Sequence, residues 1–70
     1  MSTKNKKQLY TLVLEYNDGS DAQAEIITEG QHSESLALLM MICRGTLMAS
    51  SAKSCTIYDT EGFDVVSYMK

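Results

Sequence analysis

Seventy residues, 44% hydrophobic and 21% charged, describe one globular domain near the lower size limit for unaided folding. Six Lys and Arg against nine Asp and Glu leave a formal charge of −3 and a pI near 4.8, which argues against a compact nucleic-acid binder with a dense basic surface. Two cysteines are too few for a disulfide scaffold, one histidine excludes a two-histidine site within the chain, and no Cys/His cluster offers a zinc staple.

Residues 1–8 (MSTKNKKQ) contain Lys4, Lys6 and Lys7 and read as a mobile basic arm ahead of a single domain over 9–70. From Leu9 onward, nine acids meet only Arg44, Lys53 and Lys70, so the domain itself is strongly acidic. The lysines before Leu9–Leu14 resemble the opening of a signal peptide. That apolar stretch is short, includes Thr11 and ends at Glu15, so it fails as the core of one. The longest uninterrupted apolar run, Leu36 to Cys43, is eight residues, whereas a bilayer span takes roughly 20. The expectation is a cytoplasmic chain with no membrane partner and with Cys43 and Cys55 as thiols.

Leu9–Tyr16 alternates, with Tyr10, Leu12, Leu14 and Tyr16 on one face and Thr11, Val13 and Glu15 on the other, the pattern of a half-buried strand. Ala22–Thr28 continues it, with Ala22, Ala24 and Ile26 opposed to Gln23, Glu25 and Ile27. A two-residue Asp18-Gly19 loop would pair Leu14 with Gln23 and mix the faces. A three-residue Asn17-Asp18-Gly19 loop with a left-handed glycine pairs Leu14 with Ala22, Leu12 with Ala24 and Tyr10 with Ile26, keeping one face apolar.

Ser33 to about Ser51 reads as a helix, with Ser33 as N-cap and Glu34 at the positive N-terminal end. Cys55–Asp59 and Phe63–Met69 then flank Thr60-Glu61-Gly62, again with glycine third. That loop pairs Ile57 with Val65 and Cys55 with Ser67, so Cys55, Ile57, Phe63 and Val65 are expected to face inward. The fold class is α+β: ββαββ, a four-stranded, antiparallel-rich sheet with one helix packed on one face.

The helix carries the informative feature. Leu36, Leu39, Met40, Cys43 and Leu47 form a stripe suited to the sheet, with the small Ala22 and Ala24 beneath it. The opposite side should be polar, yet Leu38, Met41, Ile42, Met48 and Ala49 occupy it, with Gly45 in their midst. A single sheet covers one side only, so this second stripe is read as a dimer or partner interface. Mid-helix glycine costs about 1 kcal/mol against alanine, and Gly45 and Ala49, four apart, suit a close helix–helix approach by analogy with membrane helices.

Catalytic chemistry is sparse. His32, Ser33 and Glu34 sit together at one helix start, where capping explains them better than a catalytic triad, and both cysteines belong to the expected core. The Asp18/Asp21 and Asp59/Glu61/Asp64 clusters lack calcium-loop spacing and sit on tight turns, where Asp and Gly serve the backbone. No phosphate loop or nucleophile elbow occurs, so neither enzyme activity, a metal nor a cofactor is expected. The outer sheet face is expected to present Val13, Tyr58, Val66 and Tyr68, tyrosines that can stack nucleic-acid bases, although Glu15 and Glu25 share that surface. The function these observations favour is a small non-enzymatic protein-binding module. It would dimerise through its apolar helix and act as an inhibitor or adaptor on a host protein, as small phage or prophage proteins do. The alternative is a small nucleic-acid-associated regulator using the sheet tyrosines and the basic arm.

Overall fold

The computed structural model describes residues 7–30 and 32–70, and within them the chain runs β1 (Lys7–Glu15), β2 (Asp21–Glu29), α1 (His32–Ala49), β3 (Ser54–Tyr58) and β4 (Asp64–Met69). The first hairpin has the register its alternation dictates: Leu14 opposes Ala22, Leu12 opposes Ala24 and Tyr10 opposes Ile26. Gly19 takes φ +90, the Tyr16 N–H donates to Ser20 O at 2.9 Å, and the Gly19 N–H donates to Tyr16 O at 3.1 Å, closing the three-residue loop. The strand starts earlier than expected. Lys7 and Gln8 belong to β1, opposite Glu29 and Thr28, and are not part of an arm; Lys4 and Lys6 lie outside the described residues.

The second hairpin closes as expected and then departs. Gly62 has φ +89, and the Asp59 N–H donates to Phe63 O at 3.0 Å across Thr60-Glu61-Gly62. One step later a β-bulge at Val65 shifts the register, so that Ile57 opposes Val66 and Cys55 opposes Tyr68. The shift turns Val66 and Tyr68 toward the helix and sends Ser67 outward, where its hydroxyl lies 3.2 Å from that of Thr56. Phe63, expected inside, is 66% exposed.

β1 also pairs antiparallel with β3, giving one sheet of order β2-β1-β3-β4. The core is a single cluster: Tyr10, Leu12 and Leu14 from β1, Leu39, Cys43 and Leu47 from α1, Ala52 from the connection after it, Cys55 and Ile57 from β3, and Val66 from β4. A helix about 10–12 Å across covers roughly two strands spaced about 4.8 Å apart. Here α1 lies over β3 and β4. Ala22 and Ala24, expected beneath the helix, are therefore exposed, and β2 is left largely bare on both faces.

Candidate interaction surface on the helix

α1 starts at His32, which places Ser33 within the first turn instead of at the cap. The His32 and Ser33 side chains lie outside the described residues, and so do the capping roles expected of them. The helix is rotated slightly from the expected setting. Leu39, Cys43 and Leu47 are buried, Leu36 is half-buried, and Ser35 replaces Met40 on the covered face. Met40 is 43% exposed, because the helix leans so that this flank overhangs β4. Ile42 moves the other way, from the expected outer stripe to a half-buried position packed against the core.

What remains is a contiguous apolar face. Met41 and Met48 are each 72% exposed and Leu38 is 46% exposed. Gly45 and Ala49 are exposed between them, and the space above Gly45 is open. On the β4 side, Ala37, Met40, Met41 and Arg44 line a shallow hollow whose floor is Tyr68. Five of the six expected interface residues thus lie in the open, with Ile42 at the margin. Met40 and the Tyr68 hollow are additions that helical periodicity alone does not reveal.

The expected sheet-face site is not assembled. Val13 and Tyr58 keep their places on the outer face, since Tyr58 opposes Thr11 and Val13 opposes Thr56. Val66 is 7% exposed and faces the core, while Tyr68 lies under the helix. Tyr58 and Tyr68 do not share one platform, because the bulge at Val65 reverses the parity of β4. Ser67 carried the signal: without a bulge its hydroxyl would face the core and two apolar side chains would face outward.

The turn acids and the two cysteines have local partners. Asp18 Oδ1 accepts hydrogen bonds from the Ser20 hydroxyl at 2.6 Å and the Ser20 N–H at 3.0 Å, which hold its carboxyl below the ordinary carboxylate value. Asp59 Oδ1 accepts from the Glu61 and Phe63 N–H groups at 2.9 and 3.0 Å. Both acids serve their turns. Cys43 and Cys55 are free and fully buried, and the Cys43 thiol donates to the Cys55 carbonyl at 3.3 Å. Burial, reinforced by the neighbouring Cys43 thiol, pushes the Cys55 thiol up from 9.0 to about 12, the opposite of an activated nucleophile. Among the described residues no helix is long and apolar enough to cross a membrane.

No protein-family model, curated protein or solved structure matches this chain.

Proposed function

We propose that this chain is a non-enzymatic, cytoplasmic protein-binding module that forms a homodimer through the outer face of α1. Its role would be that of an inhibitor or adaptor occupying the surface of another protein. The observation that carries this reading is the face itself: Met41 and Met48 at 72% exposure, with Leu38 and Met40 beside them on one helix. Soluble monomers rarely expose contiguous apolar patches larger than about a few hundred Å². A two-fold contact covers both copies with one surface, and methionine side chains adapt to a partner at little cost.

Magnitude sets the character of the dimer. A stable interface buries about 800 Å² per partner, more than the helix face alone supplies, so the contact extends into the Tyr68 hollow and exchanges readily. A dimer of that kind leaves the same face available to a heterologous target. Light scattering across the micromolar range tests the reading: a rise in apparent mass with concentration, abolished by Met41→Glu, is expected. A monomer at every concentration overturns the homodimer and leaves the face to a different protein.

A further inference from the structure

β2 is the edge of the sheet guarded by acidic side chains alone, Asp21, Glu25 and Glu29. It is nine residues long, pairs with β1 without a bulge, and contains neither proline nor lysine, all features that natural edge strands usually avoid. The opposite edge is guarded: β4 has six residues and a bulge, and the Lys70 ammonium beyond its end donates to the Ser50 carbonyl.

The Tyr16–Ser20 hydrogen bond sets the phase of the first hairpin. Hydrogen-bonded pairs then recur every second residue, at Leu14/Ala22, Leu12/Ala24, Tyr10/Ile26 and Gln8/Thr28. The N–H and C=O groups of Asp21, Gln23, Glu25, Ile27 and Glu29 therefore point away from β1, and among the described residues no strand pairs with them.

The two faces beside this edge differ in chemistry. On the outer face, Glu15 stands directly opposite Asp21, with Glu25 and Glu29 further along. Lys7 opposes Glu29 and Lys53 lies near Glu15 and Asp21, leaving the acids in excess. Like charges held directly opposite one another repel, and an incoming cation relieves them. On the helix side, Ala22 and Ala24 are exposed and form a bare apolar shelf. Its wall is the flank of α1 that carries Ser35, Leu38 and Ile42, since Ser35 bonds Thr28 of β2 while Met40 and Arg44 overhang β4.

We infer that β2 accepts an added strand from another protein, an extended segment in which basic residues alternate with apolar ones. Its main chain pairs with the free edge, its basic side chains lie beside Asp21 and Glu25, and its apolar side chains cover the alanine shelf. A second copy of β2 is disfavoured there because it brings its own Asp21, Glu25 and Glu29 to the same edge.

The test is amide hydrogen exchange on the intact protein with two capped synthetic peptides of the length of β2, one alternating Lys and Val, the other Glu and Val. The Lys/Val peptide is expected to slow exchange of the Gln23, Glu25 and Ile27 amides about tenfold or more, and the Glu/Val peptide to leave them unchanged. Ile27→Pro removes only an outward N–H, so it should keep the hairpin and lose the protection. Met41→Glu, which breaks the proposed dimer, should keep it, so the two proposals fail separately. Absence of protection, equal protection by both peptides, or protection produced by protein concentration alone would each overturn the inference.

Discussion

The Ser35 hydroxyl donates a 3.0 Å hydrogen bond to the Thr28 hydroxyl, tying the start of α1 to the end of β2. Both residues are buried, at 2% and 4% exposure. Buried hydroxyls are costly unless paired, so this contact fixes where the helix leaves the sheet and hence which way it leans.

Removing either partner strands the other. Ser35→Ala and Thr28→Val are each expected to destabilise by about 1–3 kcal/mol, and the double variant by clearly less than their sum. Urea denaturation of the four proteins measures the coupling. Strict additivity would show that the bond contributes nothing.

Gly19→Val and Gly62→Val should each cost more than about 1 kcal/mol, since β-branched residues tolerate positive φ poorly. A Cβ at either glycine meets nothing within 4 Å, so the cost is backbone strain and not a clash. Unchanged melting temperatures in both variants would refute the loop geometry.

Gly45 separates the monomer from the dimer. With open space above it, Gly45→Ala should stabilise the isolated fold by up to about 1 kcal/mol through helix propensity. If helices cross closely at this position, the same methyl weakens association. Melting temperature and light scattering should therefore move in opposite senses. Leu39→Glu should unfold the chain, because Leu39 has no exposure at all. Ile42→Glu, half-buried, should lower stability as well as association, which makes Met41→Glu the cleaner probe.

The thiols predict a pH dependence. The unfolded Cys55 thiol titrates near 9.0 and the folded one near 12. Between those values the unfolded chain holds fewer protons, so this contribution to stability is complete below pH 9 and is lost as pH rises. The urea midpoint should fall from about pH 8 to about pH 10.5, and less steeply in Cys55→Ala. Parallel profiles would exclude Cys55 as the source. Both cysteines should also label slowly in the native protein and quickly in denaturant.

Features that depend on neighbours along the chain are legible in the residues alone. Gly19 and Gly62 at the third loop position, combined with the alternation from Tyr10 to Ile26, set both turns and the whole register of the first hairpin. The all-round apolar composition of the helix likewise requires an exposed apolar face whatever its setting, and Met41, Met48 and Leu38 occupy it. Tertiary structure decided the rest. The β1–β3 pairing joins residues 39 to 47 positions apart, from Glu15/Ser54 to Thr11/Tyr58, so no local pattern encodes the strand order. The bulge at Val65 exchanges Ser67 for Val66 and Tyr68 on the core side, because burying the valine outweighs an unbroken ladder beside the turn. One helix is too narrow for four strands. Once the Ser35–Thr28 bond and the β3–β4 side hold it, Met40 swings out, Ile42 swings in, and β2 is left as an open edge.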